Sequence, residues 1–172
     1  WFKSGGVRLL RNLNISHGTV DCSQSVMLDE KDARNYAVFS LKEGDLVLSL
    51  DRPIISTGLK YAVIRQSDLP CLLLQRVARL SSYIGVVNSE YLSLWLQSDL
   101  FVGTIDPGRS NGIPHISTKQ VSDLAFGLPP LAEQSRIVAR VTELCALCQH
   151  LRGKLSQARH TQTQLAQAWV EQ

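Results

Sequence analysis

The sequence lacks any long apolar run, and this absence excludes a membrane-spanning helix. None of its 172 residues belongs to an uninterrupted apolar stretch of about 18, the length that crosses a bilayer. A basic segment followed by an apolar one is also missing at the start, so a secretory signal has no support. The first residues, WFKSGGVRLL, do not begin with Met, and we expect the chain to start inside a longer protein.

Cysteine is scarce and poorly placed for a disulfide framework or a zinc site. The four cysteines are scattered along the chain, at Cys22, Cys71, Cys145 and Cys148. The one C-x-x-C, from Cys145 to Cys148, has neither a second pair nor two histidines at ligand spacing, and it falls inside a helical pattern. We interpret the pair as packing residues on a helix, expect no bound metal, and place the protein in the reducing cytoplasm.

Catalytic motifs are missing as well. The histidines do not cluster, lying at His17, His115, His150 and His160. No serine lies in G-x-S-x-G, and LPPL lacks the Asn-Pro-Pro-aromatic arrangement of adenine methyltransferases. The stretch GTIDPGRS (103–110) nearly matches the phosphate-binding G-x-x-x-x-G-K-[ST], but Arg109 replaces lysine and the following NGIP would break the required helix. We expect no catalysis and no cofactor bound by this chain.

An excess of one charge is also absent. The net charge is +3, and residues 1–129 carry 13 Lys and Arg against 12 Asp and Glu. Residues 130–172 carry five against three. Neither part is a polycation that coats nucleic acid without selectivity, so binding to DNA would need local basic patches and the help of partners.

What the sequence does contain, over its first 129 residues, is a succession of short extended and helical patterns. Extended patterns occur at GVRLL (6–10), LNI (13–15), GDLVLSL (44–50), KYAVIR (60–65), PCLLLQRVARL (70–80) and LAFGL (124–128). Helical spacing begins after the capping residue Asn88 in NSEYLSLWLQSDLF, and STKQ from Ser117 to Gln120 forms a capping-box pattern. The predicted fold class is α+β, a mixed twisted sheet with small helices.

After Pro129 and Pro130 the pattern changes to a helical period that lasts almost to the C-terminus. Pro130 suits a first helical turn, and Glu133 suits the positive end of the helix dipole. Apolar residues then recur in steps of four and three, interrupted by Gln162, at Ile137, Val141, Leu144, Cys148, Leu151, Leu155, Ala158, Leu165 and Trp169. We call this series the seam. It predicts one long coiled-coil helix of about 60 Å that buries the seam against another helix.

Basic and amide side chains recur along the predicted sheet region. They are Arg8, Arg11, Asn12, Asn14, Arg52, Lys60, Gln75, Arg76 and the loop residues Arg109, Ser110 and Asn111. Arginine grips guanine edges or phosphates, and asparagine or glutamine pairs with adenine. One hypothesis is that these residues converge on one concave, basic face that binds double-stranded DNA. The other is that they are ordinary exposed residues of strands and loops.

Four stretches together resemble the specificity subunit of a type I restriction–modification enzyme. Three of them are looser matches: GVRLLRNLNISHGTVD, LKEGDLVLSL and VNSEYLSLWLQS. The fourth, GIPHISTKQVSDLAFGLPPLAEQSRIVARV, is highly specific, because LPPLAEQ joins a recognition domain to a long helix in that family. The resemblance covers nearly the whole chain.

The resemblance implies a target recognition domain in residues 1–129 and a conserved spacer and dimerisation helix in residues 130–172. Family subunits hold two such units, each reading one half of a split DNA sequence, and their helices pair antiparallel and dock methyltransferase subunits. The family subunit does no chemistry: S-adenosylmethionine is expected on the methyltransferase partners, and ATP with Mg on the restriction subunit.

This chain departs from the family pattern because it holds a single unit and lacks the usual Trp-containing segment ahead of the first strand. We therefore expect either an excised half or a half-length subunit that pairs with a second copy. The alternative is a coiled-coil adaptor or scaffold whose α+β domain binds protein and has no DNA role. A hydrolase is a third class, with only isolated polar residues in its favour.

Overall fold

The computed structural model describes residues 2–3, 5–81, 85–105 and 115–170. The strands within these ranges are β1 Phe2–Lys3, β2 Val7–Leu10, β3 Val26–Leu28, β4 Leu46–Ser49, β5 Ile54–Ile55, β6 Gly58–Leu59, β7 Tyr61–Val63, β8 Cys71–Leu73 and β9 Val77–Leu80. The α-helices are α1 Glu30–Ala33, α2 Ser89–Leu96, α3 Asp99–Val102, α4 Thr118–Ser122 and α5 Leu131–Val170. The predicted α+β class is confirmed.

The strands form three small sheets rather than one. The first has the order β1-β3-β2-β8, in which β2 and β8 run parallel and the other pairs antiparallel. The second is the antiparallel set β7-β4-β9, and the third is the β5-β6 hairpin. Gly58 in this hairpin has a φ of +121°, and a Cβ there would lie 2.9 Å from the His17 ring, so only glycine fits.

Strand β4 joins the two main parts of the core, and all four of its residues are buried. Successive side chains of a strand point to opposite faces, so Leu46 and Leu48 pack on one side with Phe101, while Val47 packs on the other side with Leu10. Burial on both faces explains why Leu46, Val47 and Leu48 are all apolar instead of alternating with polar residues.

Two local predictions fail where turns interrupt an apolar run. The stretch PCLLLQRVARL is not one strand, because the chain turns at Gln75 and Arg76 between β8 and β9. Arg76 has a φ of 68°, in the left-handed region that a continuous strand excludes. The stretch LNI is not extended either, because residues Asn12–Asn14 form a turn of 3-10 helix that Asn14 closes through its side chain.

The predicted strand LAFGL is also wrong, because the segment covers a helix instead of joining a sheet. Phe126 packs on α2, with its ring centroid 5.1 Å from Trp95 and 5.7 Å from Tyr91. The Tyr91 hydroxyl donates to the Gly127 carbonyl over 2.9 Å. That bond satisfies a backbone group that a strand would have paired within a sheet.

The predicted helix caps are confirmed. Asn88 Oδ1 accepts from the backbone N–H groups of Glu90 and Tyr91, at 2.8 and 3.1 Å. The Ser117 hydroxyl accepts from the N–H of Gln120, whose Oε1 accepts from the N–H of Ser117. Each capping side chain therefore pairs N–H groups that the first helical turn leaves without a partner.

Helix α5 begins at Leu131, one residue after Pro130, which had been predicted to lie in its first turn. The helix then projects away from the domain. The Pro130 carbonyl accepts from the Gln134 N–H at 3.0 Å, which makes Pro130 the cap rather than a member of the first turn. The helix has 40 residues, about 60 Å, and packs on α2 near its start. From Thr142 to Gln167 every residue is exposed. No helix in the described part of the chain is long and apolar enough to cross a membrane.

Candidate nucleic-acid interface

Four of the polar residues singled out in the sequence line one cavity of about 330 Å³. They come from chain segments that lie far apart in sequence, and two further polar residues join them. The lining is Asn12, Leu13, Asp51, Arg52, Lys60, Arg76 and His115. We call this group the basic cavity, because three basic side chains, Arg52, Lys60 and Arg76, share it with a single carboxylate.

Asp51 is the centre of the basic cavity. Its Oδ2 accepts from Arg76 Nη1 at 3.0 Å, and its Oδ1 lies 2.9 Å from His115 Nδ1. The Asn12 amide nitrogen lies 3.5 Å from Oδ2. One carboxylate therefore orients an arginine, a histidine and an amide toward the same space, and side chains held in this way lose less entropy when they bind a ligand.

Backbone contacts bring these segments together. Asp51 pairs with His115 as an isolated antiparallel bridge, and the Leu50 N–H donates to the Arg76 carbonyl at 2.9 Å. The Lys60 N–H donates to the Pro53 carbonyl at 2.7 Å, which closes the base of the β5-β6 hairpin. The position of the cluster is therefore set by sheet and loop contacts rather than by surface side chains alone.

Two arginines of the basic cavity have backbone conformations that are unusual for residues with a side chain. The φ angle is 46° at Arg52 and 68° at Arg76, and within the described ranges no other non-glycine residue has a positive φ. Such a conformation costs of order 1–3 kcal/mol and persists where the surrounding structure imposes it, often at functional sites. Both strained residues are cations of the same cavity, which favours a binding role for it.

Lys60 contributes a cation whose stem is buried. The residue is only 8% exposed. Burial lowers the pKa of its ammonium, Asp51 nearby opposes that shift, and Arg52 adds to it. An ammonium in this position is poorly solvated, so an anionic ligand at the cavity would replace solvation that the fold has removed.

Arg8, Arg11 and Asn14 form hydrogen bonds within the fold and do not line the basic cavity. Arg8 donates to the Asp68 carbonyl at 2.7 Å, and its Nε is buried without a hydrogen-bond partner. Arg11 donates to Asn14 Oδ1 and to the Gln24 carbonyl. Asn14 is buried, and its amide also donates to the Asp21 carbonyl at 3.0 Å, so this side chain holds the turn of the chain and does not lie at the surface.

Gln75 lies beside Arg76 in sequence but lines a different cavity of about 560 Å³. The other residues of that cavity are apolar or aromatic, and they include Leu9, Tyr36, Phe39 and Leu74. An apolar wall of this kind does not suit phosphate. Arg109, Ser110, Asn111 and most of GTIDPGRS lie outside the described residues.

Asp51 and His115 line the basic cavity but were not among the residues predicted from the sequence. Asp51 directly follows the extended pattern GDLVLSL, and His115 has no other histidine near it in sequence. The one available signal was the acid directly beside a cation, Asp51-Arg52. That pattern is too common on protein surfaces to mark a site.

The seam of α5 is exposed along most of its length. Ile137 and Val141, next to the domain, are half-buried. The large side chains beyond them are 44% to 81% exposed, at Leu144, Leu151, Leu155, Leu165 and Trp169, and Cys148 is also exposed. Leu147, which the sequence analysis did not include, is exposed beside them. Within the described chain nothing covers the seam beyond Val141. A helix that pairs with a helix of another chain presents such an exposed apolar seam.

The cysteines and histidines offer no metal site in the part of the chain that the structure describes. All four cysteines are free. Burial raises the pKa of the Cys71 thiol to about 11, so at neutral pH this thiol is protonated and is neither a nucleophile nor a ligand. Cys145 and Cys148 are exposed on α5 in the single chain.

Comparison with known proteins finds sequence relatives that match most of this chain. No family model matches the chain. The specificity subunit of the type I restriction enzyme EcoAI from Escherichia coli is 50% identical over 171 residues, which cover 99% of this chain and 29% of that subunit. The corresponding MjaVIII subunit from Methanocaldococcus jannaschii is 29% identical over 146 residues, which cover 83% of this chain and 34% of that subunit.

Two solved structures share the fold. The HsdS subunit from Thermoanaerobacter tengcongensis superimposes with a TM-score of 0.67 at 18% identity, over 88% of this chain and 39% of that one. A chain from a study of complex assembly and conformational transition in a type I restriction–modification system has a TM-score of 0.59 at 17% identity, over 98% of this chain and 38% of that one.

The chain belongs to the family of type I restriction enzyme specificity subunits. It spans about three tenths of the length of the curated relatives that it matches.

Proposed function

We propose that this chain reads one half of a split DNA target for a type I restriction–modification enzyme. Residues 1–129 choose the sequence and residues 130–172 set the spacing. The observation that carries the proposal is the basic cavity, where Arg52, Lys60 and Arg76 meet beside a single carboxylate. Its cations suit phosphate oxygens and guanine edges, and Asn12 suits an adenine edge.

The weak overall charge of the domain fits a shared interface. Thirteen cations against twelve anions in residues 1–129 cannot supply strong non-specific attraction to DNA. The cavity instead concentrates positive charge locally, and methyltransferase and restriction subunits would neutralise the remaining phosphates. We expect sequence preference from this chain and most of the affinity from the assembled complex.

We expect the chain to do no chemistry of its own. S-adenosylmethionine would be bound by the methyltransferase subunits, and ATP with Mg by the restriction subunit. The motifs that bind such groups are missing from the sequence. We propose the cytoplasm as the compartment, where free cysteines stay reduced.

Helix α5 is the proposed spacer. Its seam would pair with the matching helix of the second half of the subunit or of a second copy, and the paired rod would dock the methyltransferase subunits. The exposed leucines beyond Val141 support this, since a helix presenting such a stripe needs cover.

Domain exchange tests the proposal. Residues 1–129 are grafted onto a related specificity subunit, which is reconstituted with its methyltransferase, and the methylated adenines are mapped on genomic DNA. We expect one half of the recognised sequence to change to that of this chain. If the methylated sequence stays that of the recipient, recognition lies elsewhere, and an adaptor role for the α+β domain becomes the better interpretation.

A further inference from the structure

The charges of α5 are distributed unevenly along its length. Near the domain, acids and bases alternate and pair within the helix: Arg136 with Glu133, and Arg140 with Glu143, each at 2.6 Å. From Leu144 to Val170 the sequence has no Asp or Glu. The cations of that stretch are Arg152, Lys154 and Arg159, all exposed.

These three cations flank the seam. Arg152 directly follows Leu151, and Arg159 directly follows Ala158. Both cations therefore lie along the same edge of the seam. Lys154 directly precedes Leu155 and lies at the opposite edge. In a coiled coil the residues at these edges face the corresponding edges of the partner, and their charges set which partner and orientation are accepted.

Pairing with an identical copy brings like charges together in either orientation. In a parallel pair, Lys154 faces Arg159 of the other copy. In an antiparallel pair that aligns Leu144 with Trp169, Arg152 faces Arg159 of the other copy, and a shift of the register by one heptad places Arg152 against Arg152. No acid within this stretch relieves these contacts.

We infer that the exposed seam is a docking surface for a helix whose edges carry Asp and Glu, and that a second copy of this chain is the weaker partner. The inference rests on the proposed spacer role of α5 and names the chemistry of its partner. An acidic edge would meet Arg152, Lys154 and Arg159 with opposite charge, while the leucines of the seam supply the apolar contact. The second half of a specificity subunit is the natural source of such a helix.

Charge reversal in the full chain tests the inference. The triple variant R152E/K154E/R159E supplies an acidic edge on the same seam, and R152Q/K154Q/R159Q is the matched neutral control. Glutamate and glutamine are good helix formers, so both variants should keep α5, which circular dichroism checks. Sedimentation equilibrium measures each protein alone and each one mixed with the unchanged chain, at about 50 mM and about 500 mM salt.

We expect the mixture of the unchanged chain and the acidic variant to associate roughly ten-fold more tightly at low salt than either protein does alone. High salt should reduce this difference, because exposed charges are screened. The neutral variant should self-associate more tightly than the unchanged chain. L151D, placed in the seam, should abolish association in every mixture, which ties the effect to the seam.

Two results would overturn the inference. Only the second would also contradict the proposed spacer role of α5. If the unchanged chain self-associates as tightly as its mixture with the acidic variant, the edge charges do not select the partner, but helix pairing stands. If neither association occurs at high micromolar concentration, the seam does not pair with a helix, and the proposed spacer role fails as well. Domain exchange with residues 1–129 reports on DNA recognition independently of both results.

Discussion

At the scale of the residue, Asp51 places a negative charge in a cavity that is proposed to bind DNA. A carboxylate in a basic cavity repels phosphate, yet this one fixes Arg76 and His115 within 3.0 Å and leaves three cations around it. Carboxylates also accept from cytosine amino groups. Under the proposed function, Asp51 would both position the donors and discriminate against a wrong base.

Arg76 provides a test that separates binding from stability. We expect Arg76→Gly to change the free energy of unfolding by less than about 1 kcal/mol, because relief of the left-handed backbone offsets the loss of an exposed ion pair. The binding free energy of the variant for the cognate duplex should weaken by about 1–3 kcal/mol. Urea denaturation and titration of the assembled methyltransferase with DNA measure the two quantities.

The matched control is Arg79→Gly in β9. Arg79 is an exposed arginine outside the basic cavity, and its Nη1 donates to the Ser40 carbonyl at 2.9 Å. Glycine within a strand should destabilise the fold by about 1 kcal/mol and leave DNA affinity unchanged. The reverse pattern for the two variants contradicts the role assigned to Arg76.

Lys60 provides a second test, which also fixes a sign for pH. Burial lowers the pKa of its ammonium in the folded chain, so the unfolded chain holds this proton more tightly. Folding stability due to this group therefore rises with pH between its lowered pKa and the ordinary value of 10.5. We expect Lys60→Met to be at least as stable as the unchanged chain at pH 7, to lose this alkaline rise, and to bind DNA more weakly.

Denaturation at pH 7 and near pH 10, with Lys42→Met as the control, measures these effects. Lys42 is exposed and does not line the basic cavity, so its removal should alter neither quantity. A large loss of stability at pH 7 in Lys60→Met would mean that the ammonium stabilises the fold, contrary to the direction of its pKa shift.

At the scale of the element, Gln134 fastens the long helix to the domain. It is fully buried, its Oε1 accepts from the Asn88 N–H at 2.7 Å, and its Nε2 donates to the carbonyls of Val86 and Pro129 at 2.9 and 2.8 Å. One side chain of α5 thus joins the cap of α2, the segment ahead of it and the turn before its own helix. The angle at which α5 leaves the domain depends on these three bonds.

We expect Gln134→Ala to destabilise the chain by about 2–4 kcal/mol, because it removes three part-buried hydrogen bonds to the backbone and opens a cavity where a fully buried side chain was. Hydrogen exchange should rise at the first turn of α5 and at the start of α2. Gln149→Ala, an exposed position on the same helix, is the control and should cost less than about 0.5 kcal/mol. Equal losses of stability in Gln134→Ala and Gln149→Ala would contradict the anchoring role of Gln134.

At the scale of the whole molecule, the proposed division between recognition and spacing makes a geometric prediction. Inserting one heptad into the exposed part of α5, with a matching insertion in its partner helix, keeps the seam in phase and adds about 10 Å. We expect the recognised half-site to stay the same and the gap between half-sites to grow by about three base pairs, since each base pair rises 3.4 Å. Mapping methylated adenines with the assembled enzyme measures both.

A changed half-site with an unchanged gap would contradict that division. The control is an insertion of two residues, which rotates the seam by about 200° to the far side of the helix and should abolish assembly rather than alter the gap.

The features that the sequence determined by itself are those set by neighbours along the chain. The caps at Asn88 and Ser117, the stop at the two prolines and the seam of α5 all follow from residues within a few positions of each other. Local hydrogen bonds and helical period decide such features, so a linear pattern contains the necessary information. The resemblance in LPPLAEQ adds the family.

Only the tertiary structure decided which polar residues form a site. The sequence predicted DNA binding equally for two groups of polar residues. The first group forms hydrogen bonds within the fold: Arg8, Arg11 and Asn14. The second group lines the basic cavity: Arg52, Lys60 and Arg76. Asp51 and His115 had no local signal specific enough to mark a site. Their meeting depends on an isolated bridge between chain segments 64 positions apart, and on the turn at Arg76 that divides a predicted strand. Contacts of such separation arise from the packing of whole sheets, which no stretch of sequence specifies alone.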